Sequence, residues 1–117
     1  MSKCEKLRVI SIPLFNFDVG VFESLEQYQG YFAEAHSIDA PEVTCFTAAA
    51  VYFEDGGASW FSLILPDGVS IAKVAHEACH MADFAMSAAG VPTGVKNTEV
   101  RGYLVERIME QLLDGGQ

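Results

Sequence analysis

The stretch VTCFTAAAVYFEDGGASWFSLIL, residues 43–65, contains two runs of β-branched and aromatic residues on either side of a turn. The runs cover residues 43–54 and 58–65, and the Asp55-Gly56-Gly57 sequence between them is typical of a β-hairpin. Pro66-Asp67-Gly68 then ends the second run. These residues therefore predict a pair of antiparallel strands at the centre of the chain.

The next stretch, IAKVAHEACHMADFAMSAAG at residues 71–90, has the apolar periodicity of an α-helix. Ser70 can cap its first turn, and Gly90 can adopt the left-handed conformation that is common just after a helix ends. We therefore predict a helix over residues 71–89, entered directly from the hairpin.

The flanking sequence adds one strand and two helices. Residues 7–15 are rich in Val, Ile and Leu and predict a first strand, and Ser24 with Gln27 resembles a capping box for a helix that ends within residues 36–41. A last helix begins near Asn97 or Thr98 and runs to residue 114. The predicted fold is a single α+β domain over residues 1–117, with a small antiparallel sheet packed on helices.

The charge balance argues against several classes of partner. Sixteen acidic and seven basic residues give a formal net charge of −9, which repels phosphate backbones and anionic lipid surfaces.

The longest apolar run, residues 43–53, is much shorter than the ~20 residues that a membrane-spanning helix needs. The three cysteines show no CxxC spacing, so no disulfide framework is indicated. We expect a cytoplasmic protein that binds neither nucleic acid nor membrane.

The most informative motif is HEACH, residues 76–80, inside the predicted helix at 71–89. Residues four apart are separated by about 400° around a helix, so His76 and His80 share one face about one turn apart. Two imidazoles at this spacing can hold one metal ion, for which zinc is the expected choice. Glu77 is rotated by about 100° from His76, which suits a general base for a metal-bound water.

A catalytic zinc site usually has three protein ligands, so a third ligand must come from elsewhere in the chain. Glu99, in the first turn of the last helix, is our first choice. Glu106 and Asp83 remain alternatives, and Asp83 also suits a role as an outer carboxylate that orients a histidine. The pattern HExxHxxGxxH does not apply, since Asp83 and Met86 stand where it needs Gly and His.

The segments HEACHMADF and NTEVRGYL resemble the gluzincin branch of the zincin metallopeptidases, with matches at His76, Glu77, His80 and Glu99. The combination also resembles short phage and prophage proteins that carry HExxH. The resemblance implies a zincin-like core and a catalytic or packing role for Tyr103, four residues after Glu99. It also implies that the strand before the HExxH helix, residues 58–65, is an edge along which a peptide can lie.

Two functions from different classes follow. The first is a zinc-dependent hydrolase, foremost a metallopeptidase acting on a peptide or protein, with Glu77 as general base. The alternative is a non-catalytic phage protein that uses zinc structurally and binds a host protein through its acidic surface. A homo-oligomer is a further alternative, because half of the residues are apolar and part of that surface suits an interface.

Overall fold

A computed structural model describes residues 8–36, 48–55 and 57–114 of the chain. Within these ranges the elements are β1 (Arg8–Ile12), β2 (Phe17–Phe22), α1 (Leu25–His36), β3 (Ala49–Asp55), β4 (Ala58–Ile64), α2 (Ile71–Ala88) and α3 (Thr98–Leu113), with a short 3₁₀ helix at Val95–Asn97. The predicted α+β class is confirmed. Of the helices described, none has both the length and the apolar character needed to cross a membrane.

The four described strands form one sheet in the order β1-β2-β4-β3. The pairs β1–β2 and β3–β4 are antiparallel, whereas β2 and β4 at the centre pair parallel, with Val19 opposite Phe61 and Val21 opposite Leu63. The sheet is therefore mixed, and the prediction of a wholly antiparallel sheet is corrected. Parallel strands cannot be joined by a tight turn, so α1 and β3 lie between them in sequence.

The strand that the sequence did not reveal is β2. The predicted strand at 7–15 ends at Ile12, because Leu14 and Asn16 adopt positive φ angles of 74° and 60° and turn the chain. Asn16 and Asp18 are turn formers, which concealed the strand that follows. The signal that could have found it is the alternation of Phe17, Val19 and Val21 with smaller or polar residues, which is the period of a strand.

Apolar side chains cover both faces of the sheet. One face packs against α2 and α3 and is called the helix-pair face. Its fully or nearly fully buried members are Ile10, Ile12, Val19, Val21, Phe61 and Leu63. The α1 face carries Phe22, Ala49 and Ile64, which pack against Tyr28 and Phe32 of α1. The domain consequently has three layers, and the HExxH helix belongs to the layer opposite α1.

The surroundings of α2 agree with the prediction that the HExxH helix packs on both the hairpin and the last helix. It contacts β3, β4 and α3. Ser70 caps its N-terminus by accepting a hydrogen bond from the Lys73 amide at 3.1 Å, and Gly90 ends it with a φ of 77°. The hairpin pairs Ala49–Asp55 with Ala58–Ile64, and residues 43–47 of the predicted strand lie outside the described residues.

Among the described strands, β1 and β3 are the edges of the sheet, whereas β4 lies between β2 and β3. This corrects the expectation that the strand before the HExxH helix is a free edge, because the β4 backbone is paired on both sides. The carboxamide of Gln111 in α3 covers part of the β1 edge. Its Oε1 accepts from the Ser11 amide at 2.9 Å and its Nε2 donates to the Ser11 carbonyl at 2.7 Å, which blocks strand addition there.

Tyr28 gives a test of the α1 face. Its side chain is fully buried, its hydroxyl has no hydrogen-bond partner within the described chain, and burial raises its pKa from 10.0 to about 12. Between these values the unfolded chain loses the Tyr28 proton while the folded chain keeps it, so the free energy of unfolding falls as pH rises.

We therefore expect Tyr28→Phe to be as stable as wild type or slightly more stable at neutral pH, because an unpaired buried hydroxyl is removed. The variant should also lose less stability than wild type between pH ~10 and ~12. Urea denaturation across this range measures both effects. Parallel pH profiles for the two proteins would contradict the assignment.

Candidate metal centre

The two histidines of the HExxH motif lie side by side on the exposed face of α2. Their Nε2 atoms are 3.2 Å apart, and their ring centroids are 4.7 Å apart with the ring planes inclined by 82°. The helix places them there because four residues advance just over one turn. The sequence-predicted pairing of His76 with His80 is present in the structure.

The spacing of the two Nε2 atoms fits a shared metal ion. With zinc–nitrogen bonds of 2.0–2.1 Å and a tetrahedral angle, two ligand nitrogens should be about 3.3 Å apart. An N–H···N hydrogen bond between opposite tautomers also fits the observed 3.2 Å. Metal binding is therefore compatible with the side-chain positions as they stand. A measurement of metal content distinguishes a shared metal ion from a hydrogen bond between the two imidazoles.

The histidines form a row with Phe84 that faces the β3 side of the domain. The His80 and Phe84 rings are stacked with centroids 6.4 Å apart, and Phe84 in turn stacks on Tyr52 of β3 at 6.1 Å. Aromatic contacts of this kind limit the rotation of the His80 ring. The sequence did not point to Tyr52, although the spacing of Phe84 four residues after His80 could have identified the row.

The proposed general base, Glu77, is buried, with 4% of its surface exposed. Its position, about 100° around α2 from His76, turns it toward the sheet. Lys73, one turn earlier on the same helix, places its Nζ 3.7 Å from Glu77 Oε2 and supplies a compensating charge. The sequence analysis missed Lys73, although its i, i+4 spacing from Glu77 is the spacing of helical ion pairs.

Asp83 is held by Arg101 of α3. Arg101 donates from Nε to Asp83 Oδ1 at 2.6 Å and from Nη2 to Oδ2 at 3.3 Å, and this hydrogen bonding raises the pKa of the guanidinium. A bidentate pair of this type fixes the carboxylate in one orientation. Asp83 therefore ties α2 to α3, and its carboxylate is directed to Arg101 instead of to either histidine.

The remaining sequence-predicted residues lie on the outer side of α3. Glu99, Tyr103 and Glu106 are exposed, Tyr103 by 42%, and they face away from the buried stripe of Leu104, Ile108 and Leu112. Within residues 8–36, 48–55 and 57–114, no three His, Cys, Asp or Glu side chains come together as a metal cluster. The structure brings together His76 and His80 but does not bring Glu99 to them.

A cavity of about 400 Å³ lies on the α1 face of the sheet. Its walls include Phe22 of β2, Tyr31 of α1 and Trp60 of β4. Gly20, which has no side chain, and Ser62, which has a small one, leave room at its floor. The sheet separates this cavity from α2, which packs on the helix-pair face. The cavity is therefore not a cleft above the histidine pair.

The Asp83–Arg101 pair should contribute modestly to stability, because each side chain is about two-fifths exposed, at 40% and 38%. We expect a coupling of ~0.5–1 kcal/mol from a double-mutant cycle of Asp83→Asn and Arg101→Gln in urea denaturation, decreasing as salt is added. The more exposed Arg107–Glu110 pair is the control and should show a smaller coupling. Equal couplings, or a value that salt leaves unchanged, would contradict the assignment.

No protein-family model matches this sequence, and neither a curated protein nor a solved structure shows significant similarity to it. The resemblance to gluzincins consequently rests on the matched motif residues alone. The features of this chain that bear on function are therefore the geometry of the histidine pair, the buried Glu77 on the same helix and the contacts that hold both in place.

Proposed function

We propose that the chain is a zinc-dependent hydrolase acting on a peptide or protein, with the metal held by His76, His80 and a carboxylate of α3. The observation that carries this proposal is the 3.2 Å separation of the two Nε2 atoms, on the same helix as the buried Glu77 that follows His76 in the chain. A chelating histidine pair and a neighbouring carboxylate are the parts that metal-assisted hydrolysis requires.

The roles of the protein groups follow from their positions. A bound zinc ion would supply a Lewis acid and lower the pKa of its water toward ~7. Glu77 would accept the proton of the attacking water and return it to the nitrogen released when the amide C–N bond breaks. Lys73 compensates the charge of the buried Glu77, and burial excludes bulk water from that carboxylate.

A non-catalytic protein that binds a host protein is the competing function, in which a zinc ion held by the exposed histidine pair would be structural. A structural site, however, does not require an ionisable carboxylate at Glu77, where burial of a charge is costly. The acidic surface of the chain suits binding of a host protein in either case. Removal of the base without disturbing the metal separates the two functions.

The purified chain should bind about one zinc ion, and His76→Ala or His80→Ala should each lower zinc affinity by about tenfold or more, since each removes a ligand. Metal analysis and competition with a chromophoric chelator measure both quantities. His36→Gln is the control, because His36 packs on Trp60 at the α1 face, and it should retain zinc. Full zinc retention in both alanine variants would refute the site.

Glu77→Gln should keep zinc and the fold but lose ~10²-fold or more in hydrolytic rate, because the amide preserves shape and cannot accept the proton. Cleavage of a peptide library by zinc-loaded protein gives the rate. Equal cleavage by wild type and Glu77→Gln would overturn the mechanism. If wild type and Glu77→Gln cleave nothing and both recover the same intact host protein in a pull-down, the binding function would be favoured.

A further inference from the structure

The cavity on the α1 face lies over the part of the sheet that α1 leaves uncovered. Side chains alternate between the two faces of a strand, and Phe61 and Leu63 of β4 are buried on the helix-pair face. Trp60 and Ser62 therefore point to the α1 face. The helix α1 packs on the β3 side of this face, so the cavity extends over β2 and toward β1.

The strand register determines which groups are neighbours on the cavity floor. β2 and β4 pair parallel, with Gly20 opposite Ser62. Two residues earlier on each strand, and on the same face, Asp18 lies beside Trp60 at the strand spacing of about 4.8 Å. Both residues line the cavity. A carboxylate and an indole ring consequently share one end of it.

The middle of the floor is low and leaves room for a ligand. Gly20 has no side chain, and its partner on β1, Val9, is 50% exposed. Around this low floor the larger side chains of Phe22, Tyr31 and Trp60 form walls. The resulting volume of about 400 Å³ lies within the range of ~300–1,000 Å³ that is usual for small-molecule sites.

The aromatic walls are held by contacts with neighbouring rings. Trp60 stacks on Phe53 of β3, with centroids 5.1 Å apart and planes inclined by 23°. Tyr31 contacts Phe22 at 5.5 Å and the edge of Phe32 at 5.2 Å. These contacts limit the rotation of the rings, so the walls are formed before a ligand binds. The faces of indole and phenol rings carry a negative potential that attracts cations.

The charge at the cavity favours a cation as well. Among the described residues that line it, Asp18 is the one ionised side chain, and none is Lys or Arg. Arg8 of β1 is directed to α3 on the opposite face. Asp18 is exposed, and no ion pair among the described residues includes it. The net charge of −9 adds to the attraction for a cation and repels anionic ligands.

We propose that this cavity binds a small organic cation through an ammonium group that pairs with the Asp18 carboxylate and lies against the rings of Trp60 and Tyr31. The ion pair and the cation–π contact act on the same positive charge. The rest of the ligand occupies the space above Gly20. The sheet separates this site from His76 and His80, so the proposal is independent of zinc binding and hydrolysis.

Choline is a suitable probe, because it carries a quaternary ammonium group and has an uncharged analogue in which carbon replaces the nitrogen. Trp60 is the single tryptophan of the chain, so its fluorescence reports on the cavity. We expect a saturable change in Trp60 fluorescence with choline, and binding of the uncharged analogue that is weaker by about tenfold or more. Equal affinity for the two compounds, or no saturable change at millimolar choline, would overturn the proposal.

Two variants locate the binding site. Asp18→Asn should weaken choline binding by about fivefold or more and leave the uncharged analogue unaffected, since only the ion pair is lost. Asp67→Asn is the matched control, because Asp67 is an exposed carboxylate outside the cavity, and it should stay within about twofold of wild type. Wild-type choline affinity in Asp18→Asn would contradict the proposed ion pair.

Gly20→Val places a side chain on the floor of the cavity and should prevent binding of both compounds. Urea denaturation of this variant shows whether it is folded, and a folded variant that binds choline as wild type does would rule out this cavity. If Gly20→Val does not fold, the comparison of Asp18→Asn with Asp67→Asn decides the question.

Discussion

The packing of α2 on the helix-pair face of the sheet is the contact from which the candidate site follows. Five side chains on the inner side of α2 are fully buried there, namely Ala78, Met81, Ala82, Ala85 and Met86. The alanines let the helix lie close to the strands, and each buried apolar surface adds to the hydrophobic free energy of folding. With the inner side so occupied, the rotation of α2 is set, and His76 and His80 must face outward.

That rotation also explains the burial of Glu77. One position after an outward-facing residue, the helix has turned by about 100°, so Glu77 meets the apolar surroundings while its neighbour His76 remains in solvent. A buried carboxylate loses its hydration and needs a compensating group. Lys73 provides this charge from a half-buried position one turn earlier. The exposure of His76 and His80 and the burial of Glu77 therefore both follow from the fixed orientation of α2 on the apolar face of the sheet.

In a chain with a net charge of −9, two basic side chains join separate elements and a third compensates a buried carboxylate within α2. Lys73 compensates the negative charge of Glu77, and Arg101 joins α3 to α2 through its ion pair with Asp83. Arg8 of β1 donates to the carbonyls of Gln111 and Leu112 at 2.5 and 3.0 Å, at the end of α3 where a positive charge is favoured by the helix dipole. α3 is consequently held at both ends, which sets its position along α2 and β1.

The sequence alone determined the α+β class, the hairpin, the helix with its Ser70 and Gly90 ends, and the pairing of His76 with His80, because each depends on residues close in the chain. Local spacing and turn chemistry are sufficient for such features. The sequence alone did not reveal β2, because turn-forming residues concealed its alternation of apolar and polar side chains. It also did not reveal the parallel pairing of β2 with β4, which joins segments distant in the chain. The level at which α3 lies beside α2 was decided only by tertiary contacts, above all by Asp83 with Arg101, since helical periodicity gives the face of a residue but not its height against a neighbouring helix.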